Sequence, residues 1–240
     1  MNLKKVLPLI LTSSLIFVTA CSNQAEHKTL IDKSLNFLKH NNSYEIISEE
    51  TSEKNKQNVK NTYTFSNKSF VYRQISENPD YKTEQYIKDG ISYVKNAKGE
   101  WYRDNNDRQF IEHIEDLKIL STLDKKDVTI QEDDSTYTLN FKPVDMESFE
   151  KTIFANTPQI IFEKTKIEEY WATLKIDKKT MKPTHFENKI KADVHSKLLD
   201  ENNKEIEFSF INDSTKKSDF KFDSIPTVEL PKEAESAKKI

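Results

Sequence analysis

Alternation of apolar and polar residues in the last third of the chain constrains the fold most strongly. Residues 170–176, 186–194 and 206–210 place apolar or small side chains at nearly every second position. A period of two puts successive side chains on opposite faces of a β-strand, so these segments are predicted as strands with one dry face. Six earlier runs predict an antiparallel meander, in which Asp89-Gly90 forms a tight hairpin turn. They are residues 44–51, 58–66, 69–76, 82–88, 91–95 and 100–103.

Helical spacing occurs in three other segments, at 29–39, 107–120 and 145–154. In each, apolar residues recur every three or four positions, and Thr29 and Asp145 are predicted N-caps. Two further strands are expected at 128–131 and 137–141. The hydrophobic fraction is only 35%, yet 14 Phe and 9 Tyr are spread through patterned runs. This combination favours a sheet with one wet face over disorder, and the order of elements indicates an α+β fold.

The N-terminus has the layout of a secretory signal. Lys4 and Lys5 precede the apolar residues 6–18, and Val18-Thr19-Ala20-Cys21 follows. The apolar run is shorter than the ~20 residues that a membrane span needs. Cys21 is the one Cys of the chain, which excludes an internal disulfide. The pattern resembles the lipobox of bacterial lipoproteins, which implies a diacylglyceryl group on Cys21 and attachment to the outer, extracytoplasmic face of the cell membrane. Ordinary secretion is the alternative.

These observations predict a division of the chain into four parts. Residues 1–20 are expected to be a lipoprotein signal peptide, and 21–28 the lipidated N-terminus and a tether. Residues 29–231 would form a single domain and 232–240 a C-terminal tail, in which 234–240 are expected to fray.

Several short motifs of the mature chain resemble a known family. They are Tyr86-Ile87-Lys88-Asp89-Gly90-Ile91-Ser92-Tyr93, Gly99-Glu100-Trp101-Tyr102, residues 174–183, Ile225-Pro226 and Leu230-Pro231-Lys232-Glu233-Ala234. With the order of elements, they are similar to small Gram-positive lipoproteins with LolA/LppX-like half-barrel domains, many of unknown function. The resemblance implies a strongly curved antiparallel sheet whose concave face is covered by helices. It also implies an apolar cavity that in some members carries a lipid or lipoprotein client, and no shared catalytic motif.

Composition and motifs argue against several other functions. A net charge of −3 does not favour nucleic acid, and two Gly leave no phosphate-binding loop. None of the five His lies in a metal motif. The acidic clusters at 113–116, 133–134 and 168–169 are predicted to be solvated. We therefore expect a monomeric protein without catalytic activity, metal or cofactor; an envelope hydrolase would need a cleft of titratable groups that the sequence does not reveal.

Two hypotheses for function remain. In the first, an apolar cavity binds a lipid or acyl chain and is lined by Tyr170, Leu174, Phe186, Ile190 and Phe208; the alternative for each of these is plain core. In the second, the protein is an envelope scaffold or sensor. Trp171, on the opposite face of its strand, would then contact a partner, unless helix 107–120 or a loop covers it.

Overall fold

A computed structural model describes residues 26–41, 43–52, 54, 57–66, 71–96, 98–104, 112–155, 160–162, 165–199 and 205–239. The predicted signal peptide and Cys21 lie outside these ranges. No helix in the described part of the chain is both long enough and apolar enough to cross a bilayer.

Three α-helices and thirteen strands make up the described structure. The helices are α1 (Glu26–His40), α2 (Glu112–Thr122) and α3 (Met146–Ala155). The first six strands are β1 (Ser43–Ser52), β2 (Gln57–Ser66), β3 (Val71–Glu77), β4 (Lys82–Lys88), β5 (Ile91–Lys95) and β6 (Trp101–Asp104). The others are β7 (Val128–Glu132), β8 (Thr136–Phe141), β9 (Ile160–Phe162), β10 (Lys166–Asp177), β11 (Pro183–Leu199), β12 (Glu205–Lys221) and β13 (Lys238–Lys239).

All described strands belong to one open sheet, in the order β13-β6-β5-β4-β3-β2-β1-β12-β11-β10-β8-β7, with β9 beside β11. The meander predicted for the first six strands is confirmed. The sheet is antiparallel except at one edge, where β13 pairs in parallel with β6. The predicted, wholly antiparallel sheet is therefore mixed.

The hairpin between β4 and β5 has the turn that its sequence predicts. Asp89 and Gly90 adopt φ values of 52° and 77°, as a two-residue turn of this kind requires. Gly99 closes the next turn at φ 83°, and the side chain of Asn96 accepts hydrogen bonds from the backbone of Lys98 and Glu100. Local turn chemistry thus fixes the register of β4, β5 and β6.

One face of the sheet shares its core with all three helices. Leu30 and Leu38 of α1, Leu117 of α2 and Phe149 of α3 belong to the same buried cluster as the sheet residues. The sheet contributes Tyr44, Ile46, Tyr63, Tyr72, Ile87, Leu139, Phe141, Ile167, Tyr170, Ala172, Leu174, Ile176, Phe186, Ala192 and Phe220. We call this surface the helix-side face.

The first helix begins earlier than predicted. It starts at Glu26, so the last three residues of the predicted tether, 26–28, are helical. The reason is His27, which is 2% exposed and whose ring Nε2–H donates to the carbonyl of Leu123 at 3.0 Å. This long-range bond holds the first turn of α1 against the end of α2, a contact that local sequence cannot reveal.

The predicted fraying of residues 234–240 is wrong for the described residues 234–239. A 3₁₀ turn at Lys232–Ser236 leads into β13, and Ala234 is fully buried. The preceding segment crosses the face of the sheet opposite the helices, where Val228 packs with Val71 and Tyr86. The C-terminal segment therefore covers part of the outer face of the meander. It shields aromatic residues there, Tyr86, Tyr93 and Trp101, from water.

Candidate functional site

The structure brings together four of the five predicted lining residues. Tyr170, Leu174 and Phe186 are buried on the helix-side face, at 6%, 0% and 2% exposure, and Ile190 packs partly buried against them. The ring of Phe149 lies 4.5 Å from that of Tyr170. Burial raises the pKa of the Tyr170 hydroxyl, and the negative charge of Asp116 adds to the effect. These residues have the surroundings of a packed core, and their role as a cavity lining stays a prediction.

A polar band crosses the same face and was missed by sequence reasoning. Ser218 donates to Ser48 at 3.0 Å in the buried interior. Lys216 donates to Asp116 of α2 at 2.6 Å. The predicted strand 206–210 ends before these residues, whereas β12 continues through them to Lys221. In the sequence, these residues show only an alternation of small and basic side chains. The same alternation is typical of an exposed strand.

A groove lies where α3 meets the start of β10. Its volume is about 530 Å³, and it is lined by Met146, Glu147, Glu150, Lys166, Ile167 and Glu168. The strand is irregular here, since its register with β11 shifts between Ile167 and Glu169. The carboxylate of Glu150 accepts a hydrogen bond from the backbone N–H of Ile167 at 2.6 Å. The register shift and this hydrogen bond set the position of the start of β10 relative to α3, and the groove lies between them.

The groove is amphipathic. Met146 and Ile167 supply apolar surface beside the Phe149–Tyr170 ring contact, and Ile167 is 3% exposed. The lining also carries three carboxylates and one lysine. Lys151 and Lys191 pair with Glu147 and Glu168, each at 2.7 Å, and these carboxylates raise the pKa of both lysines. The groove therefore has an apolar floor and a charged rim, in which Lys166, Lys151 and Lys191 balance the three carboxylates.

A second cavity, of about 220 Å³, is polar and lies between α3 and the end of α2. Asp127, at its wall, accepts a hydrogen bond from the backbone N–H of Val144 at 2.7 Å, and its own carbonyl accepts one from Lys142. Asp145 accepts from the N–H of Ser148, which confirms its predicted N-cap role. These bonds support the loop between β8 and α3.

Phe208 lies apart from the other predicted lining residues. It is half-buried on β12, and its ring stacks on that of Phe210 with centroids 6.1 Å apart. Phe210 is 51% exposed, and Ile211 on the other face is 39% exposed. The separation follows from strand length, because β11 and β12 extend past the end of β10. Phe208 thus belongs to a projecting hairpin.

Trp171 is half-buried on the outer face, opposite the helices. The described part of α2 lies on the other side, since Leu117 and Leu120 belong to the helix-side core, so α2 does not cover the ring as one alternative expected. The residue directly across from Trp171 is Lys189, which pairs with Glu169 at 3.5 Å. Contact with a partner at Trp171 stays a prediction.

The outer face also holds one arrangement that resembles a catalytic triad. Ser209 and His195 are cross-strand neighbours, with Oγ 3.0 Å from Nδ1, and Asp193 Oδ1 lies 3.2 Å from Nε2 of the same ring. The side chains of His195 and Asp193 are 45% and 48% exposed. In the described residues this surface is open, whereas a catalytic triad needs a site from which water is excluded. The arrangement is that of a polar surface cluster.

Of the acidic clusters predicted to be solvated, 113–116 is corrected by the structure, because the Asp116 side chain is only 21% exposed in its ion pair with Lys216. The other two have ordinary structural partners. Asp133 accepts backbone hydrogen bonds in its hairpin loop, which lower its pKa. Glu168 and Glu169 form half-exposed ion pairs with lysines of β11. In the described residues, no group of three or more His, Cys, Asp or Glu side chains could hold a metal ion; the side chains of His113 and Glu115 lie outside that description.

No protein-family model matches this chain, and no curated protein matches it. Its structure is similar to the lipoprotein LppX of Mycobacterium tuberculosis, with 8% identity and a TM-score of 0.48 over 86% of this chain and 100% of LppX. An uncharacterized conserved protein of Thermus thermophilus gives 10% identity and 0.41, over 90% and 98% of the two chains. MucB, solved in complex with MucA, gives 10% identity and 0.37, over 87% of this chain and 60% of MucB. At TM-scores below 0.5, these likenesses assign neither a ligand nor a function to this chain.

Proposed function

We propose that this chain is a non-catalytic protein that binds an amphiphile in the groove between α3 and β10. In this proposal, a diacylglyceryl group on Cys21 holds the protein at the outer face of the cell membrane. The observation that carries the proposal is the groove itself. Its volume of about 530 Å³ lies in the usual range of small-molecule sites. An apolar floor below a charged rim fits a ligand with one apolar and one polar end.

The chemistry of the lining defines the ligand further. An acyl chain lying on Met146 and Ile167 would gain about 0.8 kcal/mol for each buried CH₂. The flexible thioether of Met146 suits chains of differing shape. Because Lys166 and the ion-paired Lys151 and Lys191 balance the three lining carboxylates, the rim carries no net charge, and a neutral or zwitterionic headgroup is expected.

The predicted lining residues extend this path inward. Tyr170 follows Ile167 on the helix-side face, and Leu174 lies further along the same strand. A chain longer than the groove would meet the Phe149–Tyr170 ring pair first. Parting these two rings would give an acyl chain access to the interior, so Tyr170 would act as the inner limit of the site.

Anchoring through Cys21 would keep the domain near the bilayer. Four residues, 22–25, lie between Cys21 and the start of α1 at Glu26, and the five steps along the chain span at most about 18 Å. The net charge of −3 gives the body no attraction to an anionic surface. Two acyl chains on one cysteine would instead supply stable attachment.

Ligand binding can be tested on the purified protein with a fluorescent monoacylglycerol, which is uncharged, and with native mass spectrometry. Met146→Glu places a charge on the groove floor and is expected to weaken binding by about tenfold. Val144→Glu is the matched control, because Val144 is 72% exposed and lies outside the groove lining. Equal binding by both variants, or no uptake by the unmodified protein, would exclude this site.

The anchor is tested separately by labelling cells with an alkyne fatty acid and fractionating their membranes. Cys21→Ala is expected to lose the label and to leave the membrane fraction. Unchanged labelling and membrane retention of this variant would show that the attachment is made elsewhere. The two experiments fail independently, since the groove does not depend on the lipid.

A further inference from the structure

The hairpin of β11 and β12 extends beyond the strands on either side of it. Residues 194–199 of β11 and 205–210 of β12 pair with each other, and β9 pairs with the outer edge of β11. On the other side, β1 ends at Ser52, opposite Ser214 of β12. Among the described strands, none pairs with residues 205–213 along that edge, so alternate N–H and C=O groups there point away from the sheet.

Apolar side chains flank this edge on both faces. Phe208 and Phe210 stack on the helix-side face, and Ile211 projects from the outer face. Phe210 is 51% exposed, although an aromatic ring of this size is usually covered. An unpaired strand edge with exposed apolar side chains is a template for another extended segment.

Charge defines which segment fits. Residues 193–199 and 205–213 carry four acidic side chains against one lysine, Lys197. Lys197 lies 3.0 Å from Glu205 and 3.4 Å from Glu207, while the side chain of Glu207 remains 76% exposed. Asp213 Oδ1 is buried and has no hydrogen-bond partner among the described residues. Lys191 lies across the strand pair from Asp213. Four acidic side chains against Lys197 and Lys191 still leave the edge with an excess of negative charge, on the face opposite its aromatic pair.

The same charges argue against two other partners for this strand edge, a second copy of the chain and a membrane surface. If two copies paired antiparallel about a two-fold axis at residue 209 or 210, Glu205 or Glu207 would lie opposite Asp213, and with the axis at residue 207 the two Glu207 side chains would face each other. Like charges across a strand pair are destabilising. An anionic bilayer surface would be repelled by the same carboxylates.

We infer that the edge formed by residues 205–213 binds an extended, basic segment of another protein, which adds to the sheet as a further strand. Its alternate apolar side chains pack on Phe208 and Phe210, and its lysine or arginine side chains face Glu207 and Asp213. This interaction surface is independent of the groove and goes beyond the proposed amphiphile binding.

The test uses the full chain and two fluorescent peptides, one of alternating lysine and valine and one of alternating glutamate and valine. Fluorescence anisotropy is expected to show binding of the basic peptide alone, and hydrogen exchange is expected to show protection of amides in 205–213. The double variant Phe208→Ser/Phe210→Ser should weaken binding by about tenfold, since two cross-strand contacts are lost. Glu207→Lys should shift the preference toward the acidic peptide.

Tyr81→Ser is the matched control, because Tyr81 is an aromatic residue with 39% exposure in the turn between β3 and β4. Equal effects of Tyr81→Ser and the double variant would overturn the inference, as would no binding or no protection at 205–213. Two further outcomes would overturn the inference, because each would identify a different occupant of the edge. One is a dimer, detected by sedimentation, that Phe210→Ser dissociates. The other is binding of the Cys21→Ser protein to phosphatidylglycerol vesicles that Phe210→Ser abolishes.

Discussion

The Nζ atom of Lys216, in β12, lies 2.6 Å from Oδ2 of Asp116 on α2. The two side chains are only 10% and 21% exposed, so this ion pair lies between the helices and the sheet. It is the polar counterpart of the apolar contacts that hold α2 in place.

Replacing Lys216 by Met is expected to destabilise the protein by about 2 kcal/mol. The change leaves the Asp116 carboxylate without its cation in a largely desolvated position, although partial exposure reduces the cost below that of a fully buried pair. Urea denaturation measures the change. Lys217→Met is the control, because Lys217 is 61% exposed and pairs with Glu187 on the outer face. A cost as large at Lys217 would contradict the assigned role.

Acidification is expected to weaken the docking of α1 through His27. Burial lowers the pKa of His27 below its ordinary value of 6.5, and the hydrogen bond to Leu123 opposes this effect only in part. The unfolded chain therefore binds the proton first as the pH falls. The stabilising contribution is complete above about pH 6.5 and is lost as the pH falls from there toward the folded-state pKa.

The measurement for His27 is the free energy of unfolding at about pH 7.5 and about pH 5.5. His27→Gln keeps an N–H donor but does not titrate, so it should lose less stability on acidification than the unmodified protein. An identical pH dependence in the two proteins would show that His27 is not the group responsible.

Gly90→Ala is expected to cost about 1 kcal/mol. Gly90 has a φ of 77°, and a Cβ added there would meet no atom within 4 Å, so the cost comes from the backbone alone. Asp89→Gly removes the same kind of strain at the neighbouring φ of 52° and should not destabilise the folded hairpin in this way. Thermal denaturation of the two variants compares them, and equal losses would contradict a backbone cause.

Ser209 is expected to remain unlabelled by a fluorophosphonate, which reacts with activated serines. Its hydroxyl lies 3.0 Å from His195, but the side chains of His195 and Asp193 are about half exposed, and water weakens the electrostatic stabilisation that activates a serine. Mass spectrometry of the treated protein reads the result. Labelling at Ser209 that His195→Ala abolishes would overturn the proposal that the protein is non-catalytic.

Local patterns determine much of the meander and its turns. The alternation of Tyr63 and Phe65 with polar neighbours, and the turn at Asp89-Gly90, each specify structure within a few residues, and both are found as predicted. Helix spacing also places α3 to within a residue at each end. These elements are predictable because their own side chains divide cleanly into buried and exposed sets.

The second half of β12 could not be predicted in this way. Ser214, Lys216 and Ser218 occupy its buried face, where the pattern calls for apolar residues. They form strand because β1 and β11 pair on either side and because Asp116 and Ser48 satisfy two of their polar groups. Pairing with distant strands overrides a weak local preference.

The groove was missed for a related reason. Met146 and Ile167 belong to two different elements, α3 and β10. No local sequence pattern indicates that α3 lies beside the start of β10. Tyr170 was selected correctly as an inward-facing residue, but inward-facing positions do not distinguish a cavity lining from a core.

The position of β1 between β2 and β12 has a consequence for folding kinetics. Thr51 of β1 bonds to Thr215, 164 residues later in the chain, and this pairing lies in the middle of the sheet. Such a high contact order predicts slow folding, because a very long loop must close before the central pairing forms. During synthesis, the first two strands can form a hairpin early, but the interior cannot be completed until residue 221 has emerged. A chaperone that delays collapse would therefore protect this chain for most of its translation.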